Sequence, residues 1–137
     1  MIDLQCWAPL PKAYADRQYH AHNRLLCSVG TTDEERRRLA REIAKRLGAS
    51  IGPTAFLLPT RGLQAWDLPE QPMHLPAAHA ALVAEFRSSI KAPVELHDLD
   101  LHINDPAFSA HALDIFDRWV AEGRIPRAAN WAQQARN

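Results

Sequence analysis

Three side chains suited to ligand binding lie close together in the segment 100–108, which reads Asp-Leu-His-Ile-Asn-Asp-Pro-Ala-Phe. His102, Asn104 and Asp105 offer an imidazole, an amide and a carboxylate, which bind polar ligands by hydrogen bonds. The segment falls between a predicted strand and a predicted helix, and in α/β folds such turns lie where ligands bind. The pattern therefore predicts a ligand site, and it indicates no particular reaction.

A second polar cluster, His20, His22 and Asn23, lies in the amino-terminal part of the chain. In an extended segment the alternation of side chains places His20 and His22 on one side. A histidine there can serve as a general base, because imidazole gains and loses a proton near neutral pH. The alternative is a pair of structural histidines, and the sequence leaves both interpretations open.

Two further segments indicate a cleft that accepts anions. Thr31 and Thr32 lead into a predicted helix, whose first backbone N–H groups and dipole favour negative charge. Arg61 and Gly62 follow a predicted strand, and the Arg61 guanidinium can pair with a carboxylate or a phosphate. Helix caps and turns use the same residue types, so the prediction depends on the two segments together.

The acidic run before the motif raises the alternative of a metal site. If the strand continues through it, Asp98, Asp100 and His102 share one face and could hold a divalent ion. The simpler interpretation is a set of polar groups at a strand end, since no HExxH or CxxC spacing occurs. The glycine-rich nucleotide motifs are absent as well. The sequence predicts no metal and no cofactor, and it identifies no catalytic residue.

Composition points to one small globular domain. The chain has 137 residues, of which 47% are apolar, enough for a single core without disulfides. Its formal net charge of +0 argues against nucleic-acid and anionic-membrane partners, which need a concentrated positive field. The two cysteines, Cys6 and Cys27, favour a reduced context, and pairing between them stays open. No signal peptide or membrane span is visible, so a soluble cytoplasmic protein is expected.

Hydrophobic periodicity predicts the elements that position these residues. A capping box at Thr32–Glu35 starts a helix that ends near Gly48, with Leu39, Ile43 and Leu47 on its apolar stripe. Short apolar runs predict strands over 54–58 and 94–98. Between them lie a long loop over 60–76 and a helix over 76–90, whose apolar face comprises Ala78, Leu82, Phe86 and Ile90.

The third helix begins with Asp105 as N-cap and Pro106 as its first residue, and it ends near Gly123. Its predicted buried stripe comprises Phe108, Ala112, Ile115, Phe116 and Trp119. Weaker patterns place a strand over 2–7 and an extended segment over 17–23. Strands that alternate with helices predict an α/β fold, here a single Rossmann-like domain over 1–123 with a polar tail over 124–137. We expect a short, mostly parallel sheet of about three to five strands covered by three main helices.

Several of these blocks, in this order, resemble a known family. The blocks are Arg-Gln-Tyr-His-Ala-His-Asn at 17–23, Thr-Thr-Asp-Glu-Glu at 31–35, Phe-Leu-Leu-Pro at 56–59 and His-Ile-Asn-Asp-Pro-Ala-Phe at 102–108. They are similar to the carboxy-terminal half of the Tm-1-like ATP-binding family, an uncharacterised protein family (UPF) related to the tomato mosaic virus resistance protein. The chain departs from the family pattern at Arg24, at Gly30 and in the turn 60–64.

The resemblance implies a Rossmann-like second domain that, in the family, follows an amino-terminal domain associated with ATP. Since the resemblance does not cover that first domain, we expect no tight ATP binding by this chain. The first functional hypothesis is a domain that binds a small anionic molecule at the strand carboxyl ends, and whether it belongs to an enzyme stays open. The predicted ligand-binding residues are His20, His22, Asn23, Thr31, Thr32, Arg61, Gly62, His102, Asn104 and Asp105.

The alternative hypothesis is a non-catalytic protein-interaction or oligomerisation module. It rests on the family's link to a virus resistance protein and on the surface that a missing partner domain would leave uncovered. Exposed apolar surface and free sheet edges favour self-association, so a homodimer or a larger homo-oligomer is expected.

Overall fold

A computed structural model describes residues 1–5 and 8–125 of the chain. The strands are β1 (Ile2–Gln5), β2 (Tyr19–Ala21), β3 (Leu26–Val29), β4 (Ala55–Pro59) and β5 (Glu95–Leu99). The helices are α1 (Asp33–Gly48), α2 (Pro76–Ser89) and α3 (Pro106–Ala121), with short 3-10 turns at Lys12–Tyr14 and Ala65–Asp67. The predicted α/β class and the three main helices are confirmed. The predicted tail and the end of the predicted first strand, Cys6 and Trp7, fall largely outside the described residues.

The strands form two small sheets instead of one. β3 lies between β1 and β2 and is antiparallel to both, whereas β4 and β5 pair in parallel with Ala55 opposite Glu95. The prediction of one mostly parallel sheet is therefore wrong, and parallel pairing is confined to β4 and β5. The physical reason is a tight connection after β2, where the Asn23 side chain accepts N–H groups of Leu25 and Leu26 at 2.7 and 3.0 Å. Such a short turn can join only antiparallel strands.

The first helix starts and packs largely as the sequence predicts. Thr32 and Glu35 form the reciprocal capping box, with each side chain bonded to the other residue's backbone N–H. The buried line runs through Ala40 and Ala44, however, while Leu39 is 51% exposed. The small alanines let α1 lie close to its neighbour α2, and this close packing rotates Leu39 away from the core.

One face of the β4–β5 sheet carries the apolar core. Its buried residues come from α1, α2, β4 and the segment between α2 and β5, namely Ala40, Ala44, Leu58, Leu82, Val83, Phe86, Ile90 and Val94. The predicted apolar face of α2 is confirmed, since all four of its residues are buried. Phe56 and Phe86 stack with ring centroids 4.5 Å apart, which ties β4 to α2.

The opposite face of the same sheet is covered by α3 through a polar contact. Glu95 and His97 of β5 hydrogen-bond to side chains of α3. Only Ile115 and Trp119 of α3 are buried, and Phe108 is half-buried. The predicted stripe is therefore partly wrong, because Ala112 and Phe116 are exposed. The strand facing the helix presents a carboxylate and an imidazole, so a narrower apolar strip of α3 suffices. No helix within the described ranges has the length and apolar character needed to cross a membrane.

Candidate functional site

A cleft of about 360 Å³ opens where β4 ends. The segment 60–62 that leaves β4 forms one side, and α1, the loop 67–75 and one face of α2 form the others. Its lining residues are Arg36, Thr60, Arg61, Gly62, Asp67, Met73, His74, Leu75, Pro76, His79, Ala80, Val83 and Arg87. The cleft thus lies at the carboxyl end of a parallel strand, the edge at which α/β folds bind ligands. The long loop 60–76 therefore contributes two of its sides.

Two cations in this cleft form no close ion pair with a carboxylate of the described residues, although the charges of Asp67 and Asp33 act on Arg36 from a longer distance. Arg36 donates from Nε to the Thr31 hydroxyl at 2.9 Å, and its partial burial lowers the pKa of Arg36 from its usual value. Arg61 is exposed at the cleft rim. Within residues 1–5 and 8–125, neither guanidinium has a carboxylate oxygen within 4 Å. The third arginine, Arg87, is neutralised by a bidentate pair with Asp98 at 2.5 and 3.0 Å.

Two histidines of the cleft have tautomers fixed by the backbone. His74 donates from Nδ1 to the Asp67 carbonyl at 2.7 Å, and His79 donates from Nε2 to the Thr60 carbonyl at 3.0 Å. A carbonyl only accepts, so in each ring the other nitrogen carries the lone pair. In His79 that nitrogen, Nδ1, is buried and has no hydrogen-bond partner among the described atoms. The nitrogen that carries the lone pair in each ring is therefore a hydrogen-bond acceptor.

The wall behind the cleft is a tightly fitted contact between the two segments that follow β4 and β5. Gly62 has φ +142°, and a Cβ there would lie 2.4 Å from Asp67 Oδ1 and 2.5 Å from His102 Cδ2. Only glycine fits this backbone conformation and this space. The backbones of Gly62 and His102 also form an isolated parallel β-bridge, in which Ile103 donates its N–H to the Gly62 carbonyl at 3.0 Å.

His102 is a buried member of this wall, with 5% of its surface exposed, and it is not among the residues that line the cleft. Its Nε2 lies 3.1 Å from the Gln64 carbonyl and 3.2 Å from Asp67 Oδ1, and its Nδ1 accepts the Asn104 N–H at 3.1 Å. All of its hydrogen-bonding capacity is used inside the protein. Its imidazole thus holds Asp67 and the Gln64 backbone in place at the rear of the cleft.

Asp105 occupies the N-cap position of α3, as predicted, but its side chain does not cap the helix. Oδ2 instead accepts the backbone N–H of His102 at 2.8 Å. The expectation that this carboxylate bonds the first N–H groups of α3 is therefore wrong, because a closer donor precedes it in the turn. Asn104 is exposed, and its backbone rather than its side chain contacts His102.

The predicted amino-terminal cluster lies apart from the cleft lining. His20 and His22 share one side of the hairpin, as alternation requires, and both rings pack on Trp66 with centroids 4.8 and 4.6 Å apart. Asn23 closes the turn after β2, and Thr32 caps α1. Of the ten predicted residues, Arg61 and Gly62 line the cleft and Thr31 contacts it through Arg36.

Among the cleft residues that the sequence reasoning missed are three polar ones, Arg36, His74 and His79. They lie on α1, in the long loop and on α2, and only the tertiary fold brings them together. The presence of two histidines at the end of a long loop and in the first turn of a helix was an available signal.

It also passed over the segment Gly48-Ala-Ser-Ile-Gly52, which has the GxSxG spacing of hydrolase nucleophiles. Here the serine follows a helix and precedes a strand, the reverse of the nucleophile turn, and Ser50 Oγ bonds Thr54 Oγ1 at 2.6 Å.

Comparison with known proteins agrees with the resemblance seen in the sequence. Residues 1–120 match the carboxy-terminal domain of an uncharacterised protein family, UPF0261. A UPF0261 protein of Brucella melitensis is 44% identical over 125 residues, which cover 91% of this chain and 30% of that protein. A UPF0261 protein of Rhizobium meliloti is 35% identical over 111 residues, covering 78% of this chain and 28% of the relative.

A plant protein also matches at lower identity. The ToMV resistance protein Tm-1 of Solanum lycopersicum is 28% identical over 118 residues, or 85% of this chain and 16% of that protein. The chain thus spans less than a third of the length of each of these relatives. Since the family match covers most of its residues, the chain belongs to the UPF0261 family, within that family's carboxy-terminal domain.

Proposed function

We propose that this domain binds a small anionic molecule in the cleft at the end of β4. The observation that carries the proposal is the pair of arginines there, Arg36 and Arg61, which have no carboxylate partner in the described part of the chain. Guanidinium groups pair strongly with phosphates and carboxylates. A partly buried cation without a partner is costly, and a bound anion would remove that cost.

The remainder of the lining suits a small metabolite better than a macromolecule. Met73, Leu75 and Val83 provide an apolar side, whereas Thr60, His74 and His79 provide polar groups. Ligand sites commonly combine such an apolar lining with a few oriented polar groups. The proposal includes a relationship of β4, β5 and their helices to the Rossmann fold. It also includes a cytoplasmic location, where phosphorylated and carboxylated metabolites occur.

Anion titration of paired variants tests the proposal. Inorganic phosphate, a phosphate monoester and a small dicarboxylate are added at constant ionic strength, and the melting temperature is followed. A ligand at 100 times its dissociation constant stabilises a protein by about 2.7 kcal/mol, which is readily measured. The wild type should be stabilised by at least one anion, and Arg61→Ala should abolish the effect. Arg38→Ala is the matched control, since Arg38 is exposed on α1 outside the cleft.

Two results would contradict anion binding in this cleft. One is that no anion in the panel changes the melting temperature beyond a chloride control. The other is that Arg61→Ala and Arg38→Ala respond identically to the anion, which would indicate general screening of charge.

A second candidate function, a protein-interaction or oligomerisation module, is favoured by one observation. Leu113 and Phe116 on α3 are 64% and 51% exposed, an unusual pair of large apolar side chains on one helix surface. A homodimer that covers this surface is the simplest form of this proposal. Light scattering should then give a mass above the 15.4 kDa monomer, and Leu113→Ser should reduce it.

A further inference from the structure

A histidine pair outside the cleft joins α3 to the sheet. His97 on β5 and His111 on α3 approach with Nδ1 and Nε2 3.1 Å apart, and the two rings meet edge to face with centroids 5.1 Å apart. Both side chains are partly buried between the helix and the strand. This contact is independent of the anion-binding cleft, which lies at the end of β4.

A hydrogen bond between two imidazoles requires a lone pair on one nitrogen and a proton on the other. His97 Nε2 lies 3.4 Å from Glu95 Oε2, and a carboxylate there favours a proton on Nε2. His97 Nδ1 is then the acceptor, and His111 Nε2 is the donor. A proton added to His111 leaves this arrangement intact, whereas a proton on His97 Nδ1 places two donors against each other.

The charges around the pair oppose a second proton. Glu95 is the carboxylate in contact with His97, and it already accepts hydrogen bonds from Arg118 at 2.6 Å and Arg124 at 2.5 Å. Trp119 adds an indole N–H to the same carboxylate at 3.3 Å. The neighbouring Asp98 is bonded to Arg87, which belongs to α2. A doubly protonated pair would therefore add repulsion that Glu95 and Asp98, already paired with arginines, are not free to offset.

We infer that the His97–His111 pair makes the docking of α3 on β5 depend on pH. The helix is held firmly while His97 Nδ1 is unprotonated, and it loosens once both rings carry a proton. A free imidazole changes its charge between about pH 5 and pH 8, and these limits define the range in which the inference is tested. Since α3 begins directly after the segment 102–105, loosening of the helix reaches the rear wall of the cleft.

Hydrogen exchange followed by mass spectrometry tests this inference on the intact chain. Exchange of α3 amides is compared at about pH 8 and about pH 5, the limits of the imidazole window, with α1 as an internal reference. Protection of α3 relative to α1 should fall at the lower pH, by about tenfold for each pH unit over which one additional proton is bound.

Two variants assign the effect to the pair. In His111→Gln and in His97→Gln, an amide replaces one ring and can turn to donate or accept, so α3 should keep its protection at both pH values. His22→Gln removes a histidine that packs on Trp66 instead and should behave as the wild type. Equal relative protection of wild-type α3 at both pH values would overturn the inference. So would a loss at low pH that persists in both amide variants.

Discussion

Arginines serve two different purposes in two regions of this domain. On the α3 side, Arg118 and Arg124 converge on the single carboxylate of Glu95 at 2.6 and 2.5 Å. In the cleft, Arg36 and Arg61 have no such partner among the described residues. The first pair is neutralised by the fold itself, and the second is left to interact with something else. All four residues are arginines, so residue type does not tell a structural role from a binding role. The presence or absence of a neutralising carboxylate does.

The largest expected effect on the free energy of unfolding comes from the apolar core on one face of the sheet. The effects in the two arginine regions can be compared with it. Leu58 is 1% exposed in the core between β4 and the helices. Leu58→Ala should lower the free energy of unfolding by about 2–5 kcal/mol, because it removes buried methyl groups and leaves a cavity. Denaturant unfolding gives the value. A loss of unfolding free energy smaller than that of His102→Ala would show that polar interactions, rather than the apolar core, stabilise this fold.

The rear wall of the cleft should show an intermediate effect. His102→Ala removes a buried ring and leaves the Asn104 N–H and Asp67 without their partner. We expect a loss of about 1–3 kcal/mol of unfolding free energy, the usual cost of unsatisfied buried polar groups. Arg38→Ala, on the exposed surface of α1 and outside the cleft, serves as a control that should change little. A neutral His102→Ala would mean that this ring does not hold the wall.

The neutralised cations should appear in the acid dependence of stability. Hydrogen bonds from Arg124 and Arg118 lower the pKa of Glu95 to about 2 from its ordinary 4.5. Ionised Glu95 therefore contributes stability above its ordinary pKa, and the contribution is lost as the pH falls from about 4.5 towards about 2.

Glu95→Gln should be less stable than the wild type at neutral pH, and the difference should shrink in that acid window. Glu35→Gln is a useful comparison, because Arg17 likewise lowers the pKa of Glu35 to about 2. Melting temperatures measured across the window give both differences. If the gap between the Glu95 variant and the wild type stays constant through the window, the ion pairs to Glu95 do not contribute.

The unpaired cations should matter least for stability. Arg61 is exposed and makes no ion pair with a described residue, so Arg61→Ala should change the free energy of unfolding by no more than about 0.5 kcal/mol. Denaturant unfolding without added anion is the measurement. A large loss would place Arg61 in the structural class with Arg118 and weaken the comparison between the two regions.

Local patterns predicted the elements better than their arrangement. The capping box at Thr32 and the apolar face of α2 are determined by residues that are near in sequence, and both predictions are confirmed. β3 was missed because Leu26–Val29 is short and lacks alternation, being buried at three of its four positions. The antiparallel sheet follows from a turn closed by the Asn23 side chain, an interaction that composition does not reveal.

From the sequence, the candidate site was predictable only for residues that lie next to a predicted strand end both in sequence and in space. Arg61 and Gly62 follow shortly after a strand, so their position at the sheet edge could be predicted, and both line the cleft. Arg36 reaches the same cleft from α1, and His102 lies within the rear wall because its hydrogen bonds are satisfied there. Both outcomes depend on contacts between residues far apart in sequence, which periodicity does not encode.

The most direct measurement is an NMR titration with inorganic phosphate that follows the guanidinium Nε–H signals of the arginines. Binding in the cleft predicts that the Arg36 and Arg61 signals shift together and saturate, while those of Arg118 and Arg124 stay in place. Parallel shifts of all four signals without saturation would indicate general screening, and an unchanged Arg61 would contradict anion binding in the cleft.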